Sequence, residues 1–366
     1  MNPPTPSAAS TEPDTAPAVP IAPQPARDPW PQAATVVSEI NCTLAYQVDG
    51  PTDCLFQIHA LNGMDQQVLS ESLQVTPALP LHVFADPSLN HRFTRLQAQR
   101  GEFTLHYRAT VRRTVEAFDP DARRVPIAEL PDSLLHNLMP TRYCESDVMG
   151  RTAQKLFGAV TPGAPQVIAV VDWSHQNIDY QVGSTQNTST AQDVYMQRAG
   201  VCRDFAHLAV TFCRALNIPA RLVAGYAPFD EPPPDFHAVF EAYVGDRWVI
   251  LDATRMSPPE RLVRIASGRD AKDVASLPAC SARPACWPWR RKYALQADDM
   301  GLSDCPQPSR AGQGRRRDHH LPVPDRQGCA GFEAGAHHAL LAVQAVGDVI
   351  ANHLVRLFSD RPAAAL

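Results

Sequence analysis

Cys202 stands at the start of an apolar-periodic run. His237 lies 35 residues downstream in Asp235-Phe236-His237-Ala238, and Asp252 follows 15 residues later in Leu251-Asp252-Ala253-Thr254. A thiol, an imidazole and a carboxylate are the groups that covalent catalysis at an acyl carbon requires: a nucleophile, a proton carrier, and an anion that holds the carrier in one tautomer. The chemistry depends on local structure bringing the three together.

Phe205, Leu208, Ala209, Phe212 and Leu216 recur at the spacing of one buried helical face, and Asn217-Ile218-Pro219 ends the helix. Cys202 then falls in the first turn, where unsatisfied amides and the helix dipole favour thiolate over thiol. The bland use of a cysteine is as a small core residue. Cys213 fits that use, because it shares nearly the same angle around the helix but lies about 16 Å further along the axis, beyond the help of the dipole.

Gly245-Asp246 between two apolar-rich runs predicts a two-residue hairpin turn. Pairing Val244 with Arg247 sets Tyr243 opposite Trp248, Glu241 opposite Ile250 and Val239 opposite Asp252. His237 then lies diagonal to Asp252 on one face, within reach of its carboxylate. A slip of one residue would send Asp252 to the other face.

With these residues in view, the run from Thr190-Ala191-Gln192 through Gly200-Val201-Cys202-Arg203-Asp204-Phe205-Ala206-His207-Leu208 to Ala224-Gly225-Tyr226 resembles the bacterial transglutaminase-like superfamily, of papain-type fold. Asp235-Phe236-His237-Ala238 and Arg247-Trp248-Val249-Ile250-Leu251-Asp252-Ala253-Thr254 match its histidine and aspartate motifs. The resemblance extends to Arg142-Tyr143-Cys144-Glu145-Ser146-Asp147 and Gly268-Arg269-Asp270-Ala271, covering roughly residues 34 to 275. It implies Cys202 as nucleophile, His237 as general base and Asp252 as orienting carboxylate. It also implies an α+β papain/transglutaminase-like core, with the nucleophile helix packed on an antiparallel sheet behind a β-sandwich-like domain. One departure is Val239, where many members carry an aromatic residue.

For the oxyanion, the Cys202 amide is a natural donor. Trp173, Tyr180 and the loop Gly183-Ser184-Thr185-Gln186 are candidates for a second, although Trp173 lies in a run whose spacing packs its indole into a core. Thr190 and Asp193 read as the N-cap and first-turn acid of a short helix ending at Gly200.

The 366 residues, 44% hydrophobic, suffice for two cores. Residues 34 to 125 alternate in short β-rich runs such as Phe103-Thr104-Leu105-His106-Tyr107, as in an antiparallel β domain. Residues 126 to 275 form the core, entered through a short helix at Leu134 to Leu138. Residues 1 to 33 read as a disordered Pro/Ala-rich leader without the features of a secretory signal, and the chain as cytoplasmic. A net charge of -5 gives no reason to expect nucleic acid, and no stretch approaches the roughly 20 apolar residues of a membrane span. Nine cysteines without a signal argue against a disulfide scaffold. The pairs Cys202 and His207, His319 and His320, and His337 and His338 lack zinc-ligand spacing, so neither metal nor cofactor is expected. Residues 276 to 366 read as irregular, with a late helix over His337 to Leu357. Family members follow Gly-Arg-Asp-Ala with a final apolar strand, and none is evident here. A shifted reading frame would account for the change, and the encoded mass for an intact native tail would reject it.

The expected activity is cysteine-dependent acyl transfer on a peptide or amide substrate through a thioester, by a peptidase or amidase ahead of a cross-linking transglutaminase, with a peptide or protein substrate as the expected partner. The rival expectation is a catalytically silent binding or scaffolding module.

Overall fold

The computed structural model describes residues 34–63, 65–228, 236–274, 279–280 and 287–297. The expected leader and the late helix over residues 337–357 lie outside these described residues. The first part is a β-sandwich: β1 (Ala34–Val48), β2 (Thr52–Phe56), β3 (Gln66–Thr76), β4 (His82–Ala85), β5 (Arg92–Ala98) and β6 (Gly101–Val115). Alternation drives it, because Ile40, Cys42, Leu44 and Tyr46 of β1 and Phe103, Leu105 and Tyr107 of β6 all turn inward. Tyr46, Phe56 and Phe103 meet between the sheets with ring centroids 5.2–6.3 Å apart.

The second part begins with two 3-10 segments, Ile127–Glu129 and Asp132–Leu138, the latter where a short helix was expected. It continues with α1 (Ser146–Phe157), α2 (Ala164–Asn177), β7 (Asp179–Tyr180), α3 (Ala191–Gln197), β8 (Ala199–Gly200), α4 (Cys202–Ala215), β9 (Ala220–Tyr226), β10 (His237–Val244), β11 (Arg247–Leu251) and β12 (Val263–Gly268). The sheet order is β11-β10-β9-β12, antiparallel throughout, and α4 packs on β10 and β9. Thr190 caps α3 in a box with Asp193, but the helix stops at Gln197, where Arg198 turns left-handed and releases Ala199 and Gly200 to pair in parallel with β7.

Two further strands, β13 (Ala279–Cys280) and β14 (Trp287–Ala297), complete the sandwich sheets, with β14 antiparallel to β1. The sequence reading left this stretch irregular. Three successive basic residues, Arg290 to Lys292, interrupt the alternation that identifies a strand.

One apolar cluster runs from Ile40 and Tyr107 in the sandwich through Phe212 to Phe240 and Ile265 in the core. Charged groups join the two parts as well. Glu241 of β10, fully buried, accepts from Arg221 of β9 at 2.6 Å and from Arg264 of β12 at 2.7 Å, and Arg264 continues to Asp65 at 2.7 and 2.9 Å. Burial alone would raise the Glu241 carboxyl, but the two guanidiniums outweigh it and hold it below its ordinary range. Glu241→Ala would take the buried carboxylate from Arg221 and leave Arg264, at the joint between the halves, with Asp65 alone. Urea unfolding is expected to lose about 3–5 kcal/mol, and a loss under about 1 kcal/mol would show that the network adds nothing.

Candidate active site

Cys202 is the first residue of α4, behind the N-cap Val201. It is half-buried, whereas every residue from Arg203 to Arg214 is buried. The sequence pattern implied one solvent-facing side for α4, and the structure covers it instead. Arg214 donates to the carbonyls of Ala220, Met139 and Arg269, and His207 accepts the Ala271 amide at 3.1 Å with its ring stacked on Tyr143. The Cys202 amide has no internal acceptor among the described residues, as expected at a helix start.

His237 opens β10 opposite Gly225 and is 1% exposed. Its Nε2 lies 2.9 Å from Asp252 Oδ2, and the Cys202 thiol is near enough to hydrogen-bond the same imidazole. The hairpin register is the expected one, Val244 to Arg247, Tyr243 to Trp248 and Glu241 to Ile250, with Gly245 and Asp246 both at positive φ. The ladder stops at Phe240 and Leu251, one residue short of Asp252. Asp252 therefore approaches His237 from a turn, not from a strand diagonal. The turn forms because the carboxylate gathers local donors: the Thr254 amide at 2.8 Å and hydroxyl at 2.7 Å on Oδ1, and the Met256 and Ser257 amides at 3.1 Å on Oδ2.

These contacts set the charges. Burial alone would push His237 down, but hydrogen bonds to Asp252 and Cys202 and the charges behind them lift it to about 10. Burial would raise Asp252, yet the bonds from His237, Thr254 and Ser257 hold it below its usual range. Cys213 and Cys144 are fully buried, and burial pushes both thiols up to about 12.

Of the candidate second oxyanion donors, Trp173 is turned into the core among Phe157, Tyr195 and Phe212. Tyr180 pairs opposite Gly200 and leans on Phe205, and Thr185 of the 183–186 loop bonds to Asp204, so both neighbour the Cys202 turn. Val239 packs with Val223, Ala227 and Leu262. The sequence reading passed over Arg203 and Asp204, although an acid two residues after Cys202 is a first-turn signal, and Thr254, which braces Asp252. Among the described residues no three His, Cys, Asp or Glu side chains group to hold a metal, and no helix is long and apolar enough to cross a membrane.

Residues 150–253 match the transglutaminase-like superfamily and residues 37–133 the bacterial transglutaminase N-terminal domain. A crystal structure of a candidate cysteine protease from Cytophaga hutchinsonii is 39% identical, with a TM-score of 0.68, and the match covers 74% of this chain and 93% of that one. An uncharacterized protein of Mycobacterium leprae is 28% identical over 197 residues, 50% of this chain and 69% of its own length. A Mycobacterium tuberculosis relative, also uncharacterized, is 31% identical over 117 residues, 28% of this chain and 37% of its own. The chain belongs to the transglutaminase-like superfamily. A cysteine-based peptidase or acyltransferase kind of function accords with that membership.

Proposed function

We propose that the protein cleaves a peptide or amide bond through a thioester on Cys202. The observation that carries this reading is the hydrogen-bonded order Cys202, His237, Asp252, with the sulfur at a helix start. His237, carrying the thiol proton, leaves a thiolate that attacks the carbonyl carbon. The C–S bond forms, and the electron pair moves to the oxygen beside the Cys202 amide. Collapse breaks the C–N bond as His237 gives its proton to the departing amine. His237 then takes a proton from water, hydroxide adds to the thioester, and the thiolate leaves. Asp252 keeps the imidazole oriented throughout.

Capture of the acyl-enzyme tests this. Full-length protein mixed with a peptide library and quenched in acid is expected to gain an acyl mass on the tryptic peptide carrying Cys202. Release in buffer should yield the free acid. Release mainly as an amide, on adding a primary amine, would replace hydrolysis with cross-linking, and an adduct at another cysteine or none at all would reject the nucleophile assignment.

A further inference from the structure

The first turn of α4 holds a charge pair that the proton-transfer chain does not use. Arg203 and Asp204 are each 1% exposed. Asp204 Oδ1 accepts from Arg203 Nε at 3.1 Å and Nη2 at 2.8 Å, while Oδ2 accepts the Val201 amide at 2.9 Å and the Thr185 hydroxyl at 2.5 Å. Arg203 Nη2 also donates to the Gln186 carbonyl at 2.8 Å. One carboxylate thus ties the N-cap of the nucleophile helix to the loop beside it. The backbone leaves room for this at Gly200, where a Cβ would come within 2.8 Å of Asp204 Cβ.

A carboxylate here works against an anionic sulfur. It is buried against the Val201 amide, in the same helix turn as Cys202, and a second negative charge in that turn is repelled by the first. A serine or asparagine would satisfy the same amide without charge. The guanidinium against Asp204 removes the conflict. We infer that Arg203 and Asp204 are a positioning pair for Cys202: Asp204 fixes the nucleophile turn and its flanking loop, and Arg203 cancels the carboxylate so that the turn still favours thiolate. This rests on the reading of Cys202 as nucleophile. Among the described residues, the other titratable groups around the turn are His237 on β10 with Asp252 behind it, Tyr180 on β7 and His207 on α4.

The test is the pH dependence of Cys202 alkylation by iodoacetamide on the full chain, followed by mass spectrometry of the Cys202 peptide. Arg203→Gln leaves a bare carboxylate and is expected to move the midpoint up by about one pH unit. The double variant Arg203→Gln/Asp204→Asn should return close to wild type, and Asp204→Asn alone should move the midpoint down. A purely structural role would lower melting temperature without ordering the midpoints by net charge. An unchanged midpoint in Arg203→Gln, or a double variant displaced as far as the single, overturns the inference. Should Arg203→Gln not fold, Asp204→Asn decides alone, since an unchanged or higher midpoint is then fatal. Wild-type Cys202 alkylated no faster than in denatured protein would reject the nucleophile itself. Fast wild-type alkylation with midpoints insensitive to charge would reject only the pair's role.

Discussion

Cys202→Ser is expected to lower turnover of a cleaved peptide by at least 10³-fold while leaving the thermal unfolding transition within a few degrees of wild type. The side chain is half-buried and differs by one atom, so neither a cavity nor a stranded charge is introduced. What changes is the nucleophile, because a serine hydroxyl is far less acidic and less nucleophilic than a thiol. His237→Ala should cost about as much, and the double variant hardly more than either single one, because the two groups act as a unit. Steady-state kinetics of the three variants against one peptide checks this. A Cys202→Ser protein with wild-type turnover would end the covalent reading, and additive losses would mean that the imidazole works on something other than this sulfur.

The hairpin was legible from the chain because its determinants are local. A Gly-Asp pair accepts positive φ at both central positions, and the period-2 pattern then admits one register. The start of α4 was legible for the same reason. What escaped the sequence depends on partners remote along the chain. The polar side of α4 looked solvent-facing because a pattern records polarity and not what covers it. Residues 139 and 269 reach Arg214 from opposite directions, and the Asp65 that completes the Arg264 network lies 199 positions away. The turn at Asp252 escaped for a subtler reason. A strand and an aspartate-centred turn satisfy the same backbone, and the choice was made by four local donors converging on one carboxylate.

That carboxylate is where the second large effect is expected. Asp252→Asn preserves shape but removes the charge that, with the hydrogen bonds His237 makes to Asp252 and Cys202, outweighs burial and holds the imidazole protonated up to about 10. For the wild-type enzyme the alkaline limb of kcat/KM should fall near pH 10, where His237 loses its proton. In the variant the limb should move down by roughly two units, and the rate at neutral pH by about 10²–10⁴-fold, since an amide can also bind the wrong tautomer. Stability follows the same signs. A raised histidine contributes fully below its unfolded value of about 6.5, and its contribution fades as pH climbs through the native value. A lowered aspartate contributes above about 4 and is lost in acid. The wild type should therefore gain most over Asp252→Asn between about pH 4 and 6.5, a difference that urea titrations across pH can read. An alkaline limb in the same place for both proteins would mean that Asp252 holds the turn together but does not govern the imidazole.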